Sequence, residues 1–165
     1  MNKVTFQGNP VPVSGEFPKK GTQAADFALT AGDLSELTLS SLQGKKVILN
    51  IFPSIDTPVC AQSVRHFNEQ AAGKDNTVVV CISADLPFSA GRFCEVEGIE
   101  GVQHASTFRS PQFAQDYGVA ISEGPLAGLT ARAVVCLNEE GLITHSQLVS
   151  EITEEPDYQS ALAAI

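Results

Sequence analysis

The chain has 165 residues, 43% hydrophobic and 18% charged, a balance that suits one globular domain with a buried core and excludes a disordered chain. Its formal charge of −9 repels phosphate backbones and anionic lipid, so neither nucleic-acid nor membrane-surface binding is expected. No apolar run approaches a membrane span, and Met1 to Phe17 has no signal-peptide core, so the expectation is a soluble, cytoplasmic protein forming a single domain over residues 1–165.

Val4 to Phe6 and Val11 to Val13 flank Gly8-Asn9-Pro10, which predicts an N-terminal β-hairpin over about residues 3–14. A loop through Gly15, Pro18 and Gly21 leads to a short extended piece, Asp26 to Leu29, and Ser40 to Gly44 reads as a brief helical turn. Lys46 to Phe52 is apolar apart from Asn50 once past its first lysine, the pattern of a central strand covered on both faces. The next helix starts at Pro58, carries Val64, Phe67 and Ala71 on one face, and stops near Gly73. Thr77 to Ser83 is a second buried strand. A short helix follows from about Pro87 to Val96, with Asp85 as its expected cap and Gly98 as its stop. His104 to Phe108 reads as a strand, and Ser110 to Tyr117 as a helix with Ser110 capping and Pro111 at its first position. Ala133 to Asn138 and Leu142 to Val149 form a hairpin through Glu139-Glu140-Gly141, and Glu154 to Ala164 is a closing helix. Strands alternating with helices, then a hairpin and a helix, predict an α/β fold with a mixed sheet and helices on both faces.

The most informative stretch is Pro53-Ser54-Ile55-Asp56-Thr57-Pro58-Val59-Cys60, directly after the central strand. Thr57 is a good N-cap, Pro58 suits the first helical position, and Cys60 falls at the third. A thiol there faces backbone N–H groups without intrahelical partners and the positive end of the helix dipole, both of which favour the reactive thiolate.

Three further cysteines follow. Cys81 and Cys136 lie inside strongly apolar strands and read as inert core residues. Cys94 sits on a short helix weakened by Gly91, which costs about 1 kcal/mol relative to alanine; that suits a cysteine that must move. No CxxC pair exists and no histidine has ligand-like spacing to a cysteine, so no metal site is expected. His66 lies six residues beyond Cys60, which turns it away from the thiol on a helix, and His104 and His145 have no catalytic context.

The P-x-x-x-T-x-x-C pattern of Pro53, Thr57 and Cys60 resembles the active-site motif of the peroxiredoxins, a thioredoxin-fold family of thiol peroxidases. With Cys94 placed 34 residues on, in Phe88-Ser89-Ala90-Gly91-Arg92-Phe93-Cys94, and the stretch Gly124 to Val134 bearing Arg132, the chain is similar to the bacterial thiol peroxidase subfamily. The resemblance covers nearly the whole chain, including the N-terminal hairpin. It implies a thioredoxin-like fold and reduction of hydrogen peroxide and alkyl hydroperoxides, with Cys60 the peroxidatic and Cys94 the resolving cysteine of one intramolecular redox-active disulfide. It also implies that Thr57 and Arg132 bind the peroxide oxygens, that Pro53 shields the pocket from water, that thioredoxin is the reductant, that no cofactor is needed, and that the chain is a homodimer.

Magnitudes say why more than a thiolate is needed. A thiol of pKa about 8.5 is about 7% ionised at pH 7.4, so full ionisation gains roughly fifteenfold, near 1.6 kcal/mol, whereas enzymes commonly supply at least about 8 kcal/mol. The remainder must come from donors that bind the stretched O–O bond better than the intact peroxide, and the rigid fork of Arg132 suits that task. Without the motif, Arg132 reads equally well as an ordinary surface residue at a strand end. A thiol–disulfide oxidoreductase or redox sensor using the same two cysteines is the competing reading, and a non-enzymatic binding module a third; Pro53, Thr57 and Arg132 favour the peroxidase.

Overall fold

The computed structural model describes residues 2–71 and 73–165. The chain runs β1 (Asn2–Phe6), β2 (Asn9–Ser14), β3 (Ala28–Ala31), β4 (Glu36–Thr38), a 3₁₀ turn at Ser40–Leu42, β5 (Lys46–Ile51), α1 (Pro58–Gln70), β6 (Thr77–Ser83) and α2 (Pro87–Glu97). It continues through β7 (Gln103–Ser106), α3 (Gln112–Asp116), β8 (Ala120–Ile121), β9 (Ala133–Leu137), β10 (Ile143–Leu148) and α4 (Tyr158–Ala163).

Seven strands form one mixed sheet in the order β10-β9-β5-β6-β7-β3-β4. β5, β6 and β7 are parallel, as their helical crossovers require, and the flanking pairs are antiparallel. Alternate residues of the central strands sort into two cores. Val47, Leu49, Ile51, Val80, Ile82, Ala133 and Val135 face Phe113 and Tyr117 of the α3 segment and the small sheet β1-β2-β8. Ile48, Val79, Cys81, Val134 and Cys136 face Val64 and Phe67 of α1 and Ala161 of α4. Asn50 shares the second face, where its Nδ2 donates to Ser63 Oγ of α1 at 3.2 Å. Register makes Val134, Asn50, Cys81 and His104 one transverse row across β9, β5, β6 and β7.

The expected hairpin is present, turning at Gln7-Gly8, both at positive φ. Several expectations are corrected. Asp85 does not cap α2, because its carboxylate is taken by donors of the neighbouring loops; the N-cap position is Leu86, which offers no side-chain bond. Ser110 likewise does not cap α3: its Oγ donates to Ala28 O at 2.6 Å, and the helix begins after Pro111. The closing helix starts at Tyr158 instead of Glu154, since Pro156 disfavours helical backbone just before it and Asp157 supplies the cap, accepting from Ser160 N at 3.1 Å. β7 ends at Ser106, two residues short of Phe108. The two short strands β4 and β8 carry no pattern long enough to read from sequence.

Candidate active site

β5 delivers the chain to a tightly held loop at its C-terminal end. Phe52 N donates to Ile82 O at 3.1 Å, and Thr130 Oγ1 donates to Phe52 O at 2.7 Å, so the peptides leading into buried Pro53 are fixed from two sides. Asp85 then gathers the loop, accepting from Ser54 Oγ at 2.8 Å, Ile55 N at 2.7 Å and Ser83 Oγ at 2.7 Å. Thr57 occupies the N-cap position of α1 with extended backbone, and Pro58 follows in the first helical turn. Its hydroxyl turns backward and donates to Ser54 O at 3.0 Å, leaving the first-turn N–H groups without a side-chain cap.

Cys60, at the third helical position, is wholly buried, with 0% exposure. Arg132, in the extended residues just before β9, is 2% exposed. Its Nη2 lies 3.2 Å from Cys60 Sγ, and its Nε donates to Ile152 O at 2.8 Å. Nη1 is buried and has no partner among the described residues. A buried guanidinium is costly unless its donors are used, and two of its three nitrogens have partners here. The surface reading of Arg132 is therefore wrong, and Pro53, Thr57, Cys60 and Arg132 converge on one end of the sheet.

Ile152 is itself held by the N-terminal hairpin. Ile152 N donates to Thr5 O at 2.8 Å and Thr5 N to Ser150 O at 2.7 Å. Between them the Glu151 carboxylate accepts from Thr5 Oγ1, Gln7 N, Gly8 N, Thr153 N and Thr153 Oγ1 at 2.8–3.1 Å. Those bonds hold its carboxyl down at about 2, the Thr153 and Gly8 amides contributing most.

Cys94 is half-buried on α2, with Sγ 2.7 Å from Nε2 of His104 on β7. Spacing along the chain places no thiol beside His104. The contact joins residues on separate elements whose packing no local spacing announces. Burial pushes the Cys94 thiol up and lowers His104 to about 4. Cys81 and Cys136 are fully buried and burial raises both to about 12, which keeps them protonated. His66 stacks on Tyr158 with ring centroids 3.7 Å apart. Among the described residues all four cysteines are free thiols, no cluster of three His, Cys, Asp or Glu could hold a metal ion, and no helix is long and apolar enough to cross a membrane. A cleft of about 330 Å³ lined by Gln23, Leu42, Lys45 and Glu139 lies near the other end of β5 and holds none of these residues.

The sequence profile of the Redoxin family matches residues 19–162. The chain is 52% identical over 165 residues to a thiol peroxidase of Corynebacterium glutamicum, covering 100% of this chain and 99% of the relative. A peroxiredoxin-like protein of Aquifex aeolicus superposes with a TM-score of 0.92 at 40% identity, over 98% of this chain and 94% of that one. A thiol peroxidase from Chromobacterium violaceum, at 23% identity, shares the fold with a TM-score of 0.87, over 96% of this chain and 91% of that one. The chain therefore belongs to the redoxin family and has the thioredoxin-like fold of the peroxiredoxins. Within that family it is of the bacterial thiol peroxidase kind, a peroxidase among the oxidoreductases.

Proposed function

We propose that the chain, acting as a single domain, reduces hydrogen peroxide and alkyl hydroperoxides through Cys60 and Cys94. In the first step the Cys60 thiolate attacks one peroxide oxygen. The O–O bond breaks, the sulfur is oxidised by two electrons to the sulfenic acid, and the departing oxygen takes a proton to leave as water or alcohol. Arg132 serves this step with the N–H on Sγ and the idle Nη1, which is free for a peroxide oxygen. The Thr57 hydroxyl, already donating to Ser54 O, keeps its lone pairs for the peroxide O–H. Pro53 shields the sulfur from water.

In the second step Cys94 sulfur attacks Cys60 sulfur. An S–S bond forms, the S–O bond breaks, and the hydroxide leaves as water with the proton that Cys94 gives up. Thioredoxin, whose two thiols are oxidised in exchange, returns both cysteines to the reduced form. No cofactor takes part. We place the protein in the cytoplasm, where thioredoxin is kept reduced, as a homodimer without nucleic-acid or membrane partners.

The observation that carries this reading is the buried guanidinium with one arm on Cys60 and another unpartnered. Dithiol exchange alone needs no such donor. The deciding assay supplies hydrogen peroxide or an alkyl hydroperoxide with thioredoxin, thioredoxin reductase and NADPH. Peroxide-dependent NADPH oxidation, with a Cys60–Cys94 peptide after one equivalent of peroxide, is expected; a protein that exchanges disulfides but consumes no peroxide would overturn it.

A further inference from the structure

α2 is held to the protein by few contacts. Only Pro87 and Ala90 of its eleven residues are buried, while Phe88 and Val96 are 69% and 75% exposed. It has no side-chain N-cap, and Gly91 sits mid-helix with open space around the position of a Cβ. Besides Phe93, which packs against the second core with the Arg65 guanidinium 5.8 Å from its ring centroid, two polar side-chain ties hold its C-terminal end. Arg65 of α1 pairs with Glu97, Nε lying 2.7 Å from Oε1, and Cys94 Sγ meets His104 Nε2 at 2.7 Å. The first is half-exposed and the second is tucked against the sheet.

The second tie points the wrong way for disulfide chemistry. His104 is on β7, two strands beyond β5, whose end feeds the Cys60 helix. Strands lie about 4.8 Å apart, so His104 stands roughly 10 Å across the sheet from β5, and a disulfide needs Cα atoms about 4.4–6.8 Å apart. We propose that His104 is a positioning residue that parks the Cys94 thiol against β7, so that breaking the Sγ–Nε2 contact is part of the barrier to joining Cys94 to Cys60. This rests on the reading of Cys94 as the resolving cysteine. Burial keeps the imidazole neutral and the thiol protonated near pH 7, so the tie is a neutral hydrogen bond, firm enough to hold and weak enough to release. The parked state also gives the Cys60 sulfenic acid a finite life before the second step, in which it is open to further oxidation.

The test separates the two steps by rapid quenching with an alkylating agent and mass spectrometry, after one equivalent of hydrogen peroxide. His104→Leu keeps an apolar side chain in the site and removes the tie. Disulfide formation should quicken roughly fivefold, equivalent to about 1 kcal/mol, while oxidation of Cys60 keeps its wild-type rate. His104→Gln, which can still bond the thiol, should return resolution towards the wild-type rate. An unchanged rate in folded His104→Leu overturns the proposal, and so does a slower one, which would make His104 a base. A second measurement needs neither variant: amide hydrogen exchange in residues 88–97 should quicken about fivefold in Cys94→Ala and much less in Cys94→Ser, whose hydroxyl can still reach the imidazole. Equal exchange in all three proteins would overturn the latch. Failure of the underlying reading has a different signature: no Cys60–Cys94 peptide forms in the wild type, whereas failure of the latch leaves that product at its normal rate.

Discussion

Arg132 Nη2 lies 3.2 Å from Cys60 Sγ although 72 residues separate the two along the chain. The guanidinium reaches the sulfur while anchored through Nε to the Ile152 carbonyl, so its orientation is set by the backbone. A group fixed in this way spends no reorganisation when charge develops on a departing oxygen.

Replacing Cys60 by Ser should abolish peroxide consumption and leave the fold intact, because the hydroxyl is nearly isosteric and is not ionised near neutrality. Turnover close to wild type in the thioredoxin-coupled assay would refute the assignment of Cys60.

Arg132→Ala should slow oxidation of Cys60 by roughly 10²-fold or more, the loss typical of a preorganised donor, and Thr57→Val, which removes an acceptor for the peroxide O–H, should slow it in the same direction. That exceeds the roughly fifteenfold that thiolate loss could explain. Rapid-quench measurement at a pH where the thiol is fully ionised distinguishes the two causes: a deficit that persists there belongs to peroxide binding, and one that vanishes reduces Arg132 to a tuner of ionisation.

Cys81 and Cys136 should be dispensable. Replacing either by Ala or Val should leave turnover intact and shift stability only modestly, and both should be free thiols after one equivalent of peroxide. Their burial keeps them protonated at neutral pH, since each is pushed up to about 12. A peptide joining either one to Cys60 as the main product would refute the pairing.

Gly91→Ala fits without a clash and should stiffen α2, slowing disulfide formation while sparing the attack on peroxide. The sulfenic acid would then survive longer and over-oxidise more readily. Resolution at the wild-type rate, with identical hydrogen exchange of residues 86–97 in reduced and oxidised protein, would show that α2 does not need to open.

Glu151 gives a pH-dependent test of the hairpin anchor. Its carboxyl falls from 4.5 to about 2 on folding, chiefly through the Thr153 and Gly8 amides. A lowered folded value means the contribution is complete above about 4.5 and is lost as pH falls through about 2. Glu151→Gln should therefore melt below wild type at pH 7, with the gap closing towards pH 2. A gap of equal size at both values would mean that the carboxylate charge plays no part.

Much of the site is legible because it is local. Thr57, Pro58 and Cys60 announce a helix start by their own backbone preferences, and the apolar run of β5 says where that helix begins. Arg132 is legible only by resemblance, since neither its burial nor its contact with a residue 72 positions away has a local signal. His104 is not legible at all, because its meeting with Cys94 depends on α2 packing against β7. The misplaced caps share a cause: Asp85 and Ser110 have the right chemistry for capping, but tertiary donors and acceptors claim them first. β8, two residues long, exists because it pairs with Val13 and Ser14, more than a hundred residues earlier.

The distance along the chain between thiol and guanidinium also orders events during synthesis. Cys60 leaves the ribosome 72 residues ahead of Arg132, a lead of about 4 to 14 seconds at ordinary elongation rates. β5 has no β9 to pair with in that interval, and the carbonyl of Ile152 that steadies the guanidinium arrives later still. The nascent chain thus carries the Cys60 thiol before the guanidinium that meets it, and on the proposed mechanism competence for peroxide arrives only with the last strands of the sheet.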